Sequence, residues 1–200
     1  MTPPKLFLAS QSSARARLLS AAAVPFEQVA AAIDEETVKD AMTGDQATPA
    51  EIAEALAELK AVKGSLRKRG ALVLGCDQVL ACDGKIYSKP RSLAEAHAQL
   101  LSLRGRRHEL LTAAVIARDG RAIWRHLDRA RLLMRDFSEH FLDDYLAAMG
   151  GAATSSVGGY EVEGLGAQLF AQIDGDHFSI QGLPLLPVLA ILREHGVLTI

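Results

Sequence analysis

The segment from Ala71 to Pro90, ALVLGCDQVLACDGKIYSKP, constrains the fold of this chain more than any other. Its first half is almost continuously apolar, which is typical of a buried β-strand. Asp83 and Gly84 then supply the dipeptide that favours a tight hairpin turn, and a second strand follows until Pro90 ends it. The segment therefore predicts a buried strand and its returning partner in the first half of the chain.

The N-terminal segment places a hydroxyl-rich turn between a strand and a helix. Residues 6–9 form a short apolar run that predicts a buried strand, and Ser12 or Ser13 can cap the helix that follows. Residues 25–36, PFEQVAAAIDEE, are predicted to return as a strand that ends in acidic residues.

Two later helices have clear start signals. Residues 48–51, Thr-Pro-Ala-Glu, form a capping box with proline at the first helical position, and the helix is predicted to extend to about Lys63. Ser92 and Glu95 form a second capping box, which predicts a helix through about Leu103.

The C-terminal half continues this alternation. Residues 108–134 predict an antiparallel pair around Asp119-Gly120, and residues 138–151 predict a capped helix that glycine ends. Residues 150–160, GGAATSSVGGY, are the best candidate for a mobile loop or a boundary between lobes. The tail is predicted to form strands over residues 166–180 and a final helix around LPVLAILREHG.

Hairpins mixed with helices between strands predict the α/β class, with a mixed, twisted sheet and flanking helices. The chain has 200 residues, of which 49% are hydrophobic, so it can bury a sizeable core. We expect residues 1–200 to form a single domain whose two lobes share that core.

Composition excludes several classes of partner. The formal net charge is -2, which provides no global field for coating nucleic acid or an acidic membrane. Aromatic residues make up only 5%, which disfavours a stacking platform for single strands. Cys76 and Cys82 lack the paired spacing of a zinc site, so reduced core thiols and a cytoplasmic location are expected. The six histidines show no HExxH pattern and no obvious Ser or Cys partner, which disfavours zinc and triad chemistry. We find no signal peptide pattern and no apolar run of about 18 residues.

Polar side chains stand at the ends of the predicted elements. Hydroxyls, an arginine fork and lysines are the groups that offset the charge of a nucleoside triphosphate, together with amides at a helix N-terminus. The candidates of this kind are Ser10, Ser12, Arg15, Lys60 and Lys89. Glu35 and Asp77 are candidate oxygen ligands for Mg²⁺ or Mn²⁺ and candidate bases for a water nucleophile. The residues alone leave simpler roles open, as solvated arginines, loop acids or the polar face of a helix.

Five segments, in this order, resemble the Maf family of nucleoside triphosphate pyrophosphatases over nearly the whole chain. They are LASQSSARARLL, IDEE, ELKA, GCDQVLACDGKIYSKP and GGYEVEGLGAQLFAQIDGDHFSIQGLPL. The resemblance implies a Maf/ITPase-like α/β fold with two lobes around a deep nucleotide-binding cleft. It also implies a hydrolase that uses a divalent metal, Mg²⁺ or Mn²⁺, and cleaves between the α and β phosphates to release a nucleoside monophosphate and pyrophosphate.

The same resemblance implies roles for individual residues. Asp77 matches the proposed proton acceptor of the family, and close to a divalent ion it would serve as a metal ligand instead. Glu35 matches an acidic residue of the metal site. The residues that match the groups around the phosphates are Ser10, Arg15, Lys60 and Lys89.

Three positions resemble the branch of the family that is associated with 7-methyl-GTP. Ala14, Gln78 and Glu163 stand where members resembling dTTP and UTP hydrolases carry the motifs SPRR, DTV and QGLG. A carboxylate at 163 can accept the N1-H and N2-H donors of guanine, and it favours the positive charge of the methylated base. Ala14 departs from the large aromatic residue that is frequent in that branch. The expected substrate is 7-methyl-GTP, with dTTP, UTP or CTP as the alternative.

A second class of function is a nucleotide-responsive binding module that regulates growth or cell division through a partner. The presence of Asp77, Glu35 and the lysines favours the enzyme. A homodimer is expected because related proteins often form one, and neither nucleic acid nor a membrane is expected as a partner.

Overall fold

The computed structural model describes residues 3–199, and this part of the chain contains seven strands and seven α-helices. The strands are β1 Leu6–Leu8, β2 Glu27–Gln28, β3 Leu72–Cys82, β4 Lys85–Tyr87, β5 Arg107–Arg118, β6 Arg121–Met134 and β7 Phe170–Asp174. The helices are α1 Ser13–Ala21, α2 Glu35–Gly44, α3 Pro49–Arg67, α4 Leu93–Leu103, α5 Glu139–Met149, α6 His177–Ile180 and α7 Leu185–Glu194. Short 3₁₀ turns cover Gly150–Thr154, Val157–Gly159 and Leu165–Leu169. No helix of residues 3–199 has the length and apolar character that crossing a bilayer requires.

All seven strands belong to one mixed sheet, which confirms the predicted α/β class. The strand order is β2-β1-β3-β5-β6-β7, and β4 pairs with the far end of β3. β1 runs parallel to both β2 and β3, whereas the β3–β4 and β6–β7 pairs are antiparallel. β1 and the adjoining part of β3 are buried, as their apolar sequences predict.

The two predicted aspartate-glycine turns are present. Asp83 and Gly84 have φ angles of 50° and 77°, and Asp119 and Gly120 have φ angles of 50° and 80°. Both central residues therefore adopt the left-handed region that a two-residue hairpin turn requires. The turns join β3 to β4 and β5 to β6, and they fix the direction of each returning strand.

Side-chain caps begin the helices where the sequence predicts them. The Ser12 hydroxyl accepts from the Arg15 amide at the start of α1. Thr48 and Glu51 form the complete capping box of α3, which continues beyond Lys63 to Arg67. Ser92 caps α4, which ends at Leu103.

The prediction for residues 25–36 is wrong in most of its length. Only Glu27 and Gln28 form a strand, and the acidic residues begin α2. The Asp34 carboxylate accepts from the Thr37 amide and so caps this helix, and Glu35 lies in its first turn, where a negative charge is favourable. The tail also differs from its prediction, because residues 166–180 contain one strand, a 3₁₀ turn and the short helix α6.

The chain forms two compact units. The first contains residues 1–78, 112–128 and 176–200, and the second contains residues 79–111 and 129–175. The glycine-rich segment 150–160 lies inside the second unit and includes two 3₁₀ turns, so its prediction as a lobe boundary is wrong. The chain passes from one unit to the other within β3, β5 and β6 and again after β7. Three of these points lie inside continuous strands, where the sequence pattern gives no boundary signal.

Gly75 allows α3 to approach β3 closely in the first unit. A Cβ atom at Gly75 would lie 2.3 Å from the Ala57 carbonyl oxygen and 2.5 Å from the Ala61 nitrogen, both backbone atoms of α3. Lys60 lies on this part of α3 and Asp77 lies two residues beyond Gly75. The bare glycine backbone therefore brings the lysine and the aspartate within reach of each other.

We expect Gly75→Ala to lower the free energy of unfolding by about 2 kcal/mol, because the helix must move away from the strand to accommodate the methyl group. The measurement is urea unfolding followed by circular dichroism. Gly44→Ala is the matched control, because a Cβ there meets nothing within 4 Å, and we expect a change below about 0.5 kcal/mol. Equal stability of Gly75→Ala and the unchanged protein would contradict the close approach.

Candidate active site

Lys60 joins two carboxylates that are distant in sequence. Its ammonium lies 2.7 Å from Asp77 Oδ1 and 2.8 Å from Glu35 Oε1. The side chains of Lys60 and Asp77 are 7% and 4% exposed, whereas that of Glu35 is 44% exposed. α3, β3 and the first turn of α2 thus bring one cation and two anions together at a site that is buried on one side and open on the other.

One carboxylate oxygen of Asp77 has no hydrogen-bond partner within the described residues. Its Oδ1 accepts from Lys60, but its Oδ2 is buried and has no hydrogen-bond partner among residues 3–199. Buried polar atoms are almost always paired, so an unpaired carboxylate oxygen indicates a place for a ligand, a cation or a water molecule. This atom is the strongest single indication of chemistry at the site.

Glu35 is held in its ionised form despite its partial burial. Burial raises the pKa of this carboxyl, but the charge and hydrogen bond of Lys60, with the charges of Lys39 and Arg15, outweigh that effect and leave the pKa below its ordinary value. Glu35 is therefore negative at neutral pH. The influence of Arg15 also shows that the arginine lies in the electrostatic neighbourhood of the Lys60 cluster.

Arg15 is organised by the turn that precedes α1. It is 9% exposed, and its Nε donates to the Gly182 carbonyl at 2.6 Å while Nη1 donates to the Ser10 hydroxyl at 3.1 Å. The Ser12 amide also donates to the Ser10 oxygen, at 3.2 Å. Because Ser10 accepts twice, its own hydrogen is left to donate. The guanidinium, this hydroxyl and the first amides of α1 together form a group of donors suited to an anion.

The Cys76 thiol lies in the field of the Arg15 and Lys60 charges, but it is expected to be unreactive. Burial raises the pKa of this thiol to about 11, more than the neighbouring Arg15 and Lys60 charges lower it. The side chain therefore stays protonated near neutral pH and is a poor nucleophile. Both cysteines are free and buried, which confirms the prediction of core thiols.

Gln78 follows Asp77 in β3, and its side chain is engaged with another part of the protein. Its amide nitrogen lies 2.9 Å from Thr112 Oγ1 and 3.0 Å from each of the Ser179 and Ile180 carbonyls, so its two N–H groups are shared among three acceptors. Successive side chains of a strand point to opposite faces, so Gln78 and Asp77 contact different neighbours.

The remaining predicted residues are placed as follows. Ala14 is half-buried in α1, next to Arg15. Lys89 and Glu163 are exposed residues of the second unit. The structure thus brings together, within the first unit, the residues Ser10, Ser12, Arg15, Glu35, Lys60 and Asp77.

Sequence reasoning missed the contribution of Gly182 and Thr112. Gly182 orients Arg15 through its carbonyl, and Thr112 contacts Gln78 from the middle of β5. The only available signal was a threonine within the apolar run HELLTAAVIA, which equally fits an ordinary strand residue.

The described residues contain no cluster of three or more histidine, cysteine, aspartate or glutamate side chains arranged to hold a metal. Within residues 3–199, the site offers two carboxylates to a divalent cation, those of Glu35 and Asp77. One or two carboxylates, completed by substrate phosphates and water, are the usual protein contribution to a Mg²⁺ site in phosphate chemistry. Asp77 Oδ2, which has no partner in the described part of the chain, fits such a role.

The sequence of this chain is similar to those of known proteins along almost its whole length. A family model described as Maf-like protein matches residues 5–195. The chain is similar to a "Nucleoside triphosphate pyrophosphatase" of Paramagnetospirillum magneticum, with 52% identity over 96% of this chain and 98% of the relative. A protein of the same name from Rhodospirillum rubrum is 50% identical over 98% of this chain and 96% of its own length. A "7-methyl-GTP pyrophosphatase" of Brucella abortus is 47% identical over 95% of this chain and 96% of its own length.

Proposed function

This chain belongs to the Maf-like protein family, and we propose from that membership and from the site that it is a nucleoside triphosphate pyrophosphatase. Such a hydrolase forms a bond between a water oxygen and the α phosphorus and breaks the bond from that phosphorus to the bridging oxygen. The products are a nucleoside monophosphate and pyrophosphate. Relatives with this name match the chain along almost its full length.

The observation that carries the proposal is Asp77 Oδ2, a buried carboxylate oxygen without a partner among residues 3–199, in the unit that also holds the anion-binding donors. Lys60 donates to Asp77 Oδ1, which fixes the plane of the carboxylate. The free oxygen can then take up the proton of the attacking water. Arg15, the Ser10 hydroxyl and the amides at the start of α1 supply the donors for the triphosphate.

A divalent cation, Mg²⁺ or Mn²⁺, completes the proposed site. Glu35 and Asp77 would hold it together with phosphate oxygens of the substrate. When bound, the cation would neutralise phosphate charge and polarise the reacting phosphoryl group. Lys60 keeps the two carboxylates close together, because their mutual repulsion is offset by its ammonium. Lys89 is assigned to the phosphates by its match to the family pattern.

We further propose 7-methyl-GTP as the substrate. Glu163 is assigned to the base, because one carboxylate can accept both N1-H and N2-H of guanine and favours its methylated, positively charged form. Gln78 and Ala14 complete the proposed specificity set. The Brucella abortus relative bears the name of this activity.

The test is a comparison of kcat/KM for pyrophosphate release from 7-methyl-GTP, GTP, dTTP, UTP and CTP, with Mg²⁺ or Mn²⁺ and with a chelator. We expect 7-methyl-GTP to be preferred and the chelator to remove activity. Glu163→Gln should lower the preference for 7-methyl-GTP over UTP by about tenfold or more, since it removes a charge-assisted hydrogen bond. Glu194→Gln, the same change at an exposed position of α7, should leave the preference unchanged.

A preference for dTTP, UTP or CTP would reject the proposed substrate and keep the reaction. Trace release that is equal in the unchanged protein and in Asp77→Asn would reject the reaction and favour a nucleotide-binding module. The two parts of the proposal therefore fail separately.

A further inference from the structure

The segment that follows β7 is fixed by polar side chains from three strands of the first unit. Gln78 of β3 donates to the Ser179 and Ile180 carbonyls, and Thr112 of β5 donates to the Ser179 carbonyl at 2.9 Å. The Ser179 hydroxyl donates to Asp128 of β6. Residues 179–182 are therefore held by specific hydrogen bonds.

The orientation of the Gln78 amide is determined by its neighbours. Two of them are backbone carbonyls, and the third is the Thr112 hydroxyl, whose hydrogen is already donated to the Ser179 carbonyl. All three atoms therefore act as acceptors toward Gln78. A reversed amide would place its oxygen against the two backbone carbonyl oxygens, which can only accept, so these carbonyls fix the nitrogen toward the cluster. The Thr112 hydroxyl completes the cluster as the third acceptor, because its hydrogen is donated to the Ser179 carbonyl.

The same segment orients Arg15. The Gly182 amide donates to the Ser179 carbonyl at 2.9 Å, which closes a turn with φ of 100° at Gly182. The carbonyl of Gly182 then accepts from Arg15 Nε at 2.6 Å. The Ser179 carbonyl accepts hydrogen bonds from the Gln78 side chain, the Thr112 hydroxyl and the Gly182 amide. Because these bonds hold the turn in place, they also determine where the Gly182 carbonyl lies.

We propose that Thr112, acting with Gln78, is a positioning residue for Arg15. The hydroxyl fixes the turn at residues 179–182, the turn fixes the Gly182 carbonyl, and that carbonyl sets the direction of the guanidinium. The remaining Arg15 nitrogens then point at the phosphates in the orientation that Ser10 also supports. The inference rests on the proposed function, because that proposal gives Arg15 its role in phosphate binding.

Removal of the Thr112 hydroxyl is expected to weaken nucleotide binding. Thr112→Val keeps the volume of this buried side chain but removes its hydrogen bonds. A lost hydrogen bond of ordinary strength corresponds to about a fivefold change. We expect KM for the nucleotide and the dissociation constant for pyrophosphate to rise about fivefold, with kcat changed by less than about twofold, since Arg15 contributes binding.

Thr112→Ser is the matched variant. It keeps the hydroxyl and removes a buried methyl group, so it lowers the melting temperature but should keep the KM of the unchanged protein. A purely structural role predicts the opposite pattern, in which KM follows the loss of stability in both variants. Serine thus tests for rescue by the hydroxyl itself.

A double-mutant cycle connects the effect to Arg15. If Thr112 acts through the guanidinium, Thr112→Val should change KM by less than about twofold in an Arg15→Ala background. Independent action would give the same fivefold change in both backgrounds. That additive result would overturn the proposal.

Hydrogen exchange at Arg15 Nε, followed by nuclear magnetic resonance without nucleotide, gives a readout that does not depend on activity. The bond to Gly182 should slow exchange in the unchanged protein and in Thr112→Ser, and exchange should be about fivefold faster in Thr112→Val. Equal exchange in all three would overturn the positioning role. If the unchanged protein releases no pyrophosphate, the proposed function fails, and the exchange comparison still decides whether Thr112 positions Arg15.

Discussion

Asp77→Asn is expected to lower kcat for pyrophosphate release by about 10³-fold. The change keeps the shape of the side chain and its contact with Lys60, but it removes the negative charge. The oxygen that has no partner in the described residues would no longer be able to take up a proton or contribute charge to a cation site. KM should change much less than kcat, since phosphate binding is assigned to other side chains.

The measurement is initial-rate kinetics with 7-methyl-GTP and UTP, with circular dichroism to confirm folding. Asp83→Asn is the matched control, because it makes the same chemical change in the exposed turn between β3 and β4. Asparagine tolerates the left-handed conformation there, so we expect a change in kcat below about twofold. Full activity of Asp77→Asn would reject both the proton-acceptor and the metal-ligand role of Asp77.

Lys60→Met should lower the free energy of unfolding by about 3 kcal/mol, because it leaves a buried carboxylate without its partner. Asp77 is 4% exposed and lies 2.7 Å from the Lys60 ammonium. Methionine has a similar length and can occupy the apolar path of the lysine side chain. The lost free energy of unfolding can therefore be attributed to the ammonium charge of Lys60 rather than to lost packing.

Urea unfolding at pH 7 gives this quantity, with Lys63→Met as the control on the exposed face of α3. The control should change stability by less than about 0.5 kcal/mol. A double variant, Lys60→Met with Asp77→Leu, should regain most of the loss, since replacing both members of a buried pair removes the unpaired charge. If the single and double variants were equally destabilised, the ion pair would not explain the stability.

Turns and helix starts were predicted correctly where a few adjacent residues specify them. Asp119-Gly120 joins β5 to β6, and the Thr48–Glu51 capping box begins α3, because both features are specified by a few adjacent residues. α2 was missed because residues 25–36 gave a strand pattern, and a single aspartate, Asp34, decides where the helix begins. Its acidic start could be interpreted as a loop until the cap was visible.

The candidate site was predictable in residue type but not in arrangement. Matches to the family pattern identified Lys60 and Asp77, and the structure places them in contact. No sequence signal predicts that one oxygen of Asp77 has no partner within residues 3–199, because the neighbours of a buried atom come from segments that are distant in sequence. Gln78 was assigned to specificity, yet its nitrogen contacts the turn at residues 179–182. The homodimer and the cytoplasmic location remain predictions.

Hydrolysis in ¹⁸O-labelled water tests the central claim most directly. Attack at the α phosphorus requires the label to appear in the nucleoside monophosphate and the pyrophosphate to remain unlabelled, as mass spectrometry of a single turnover would measure. Label in the pyrophosphate, or release of orthophosphate and a nucleoside diphosphate instead, would contradict the account.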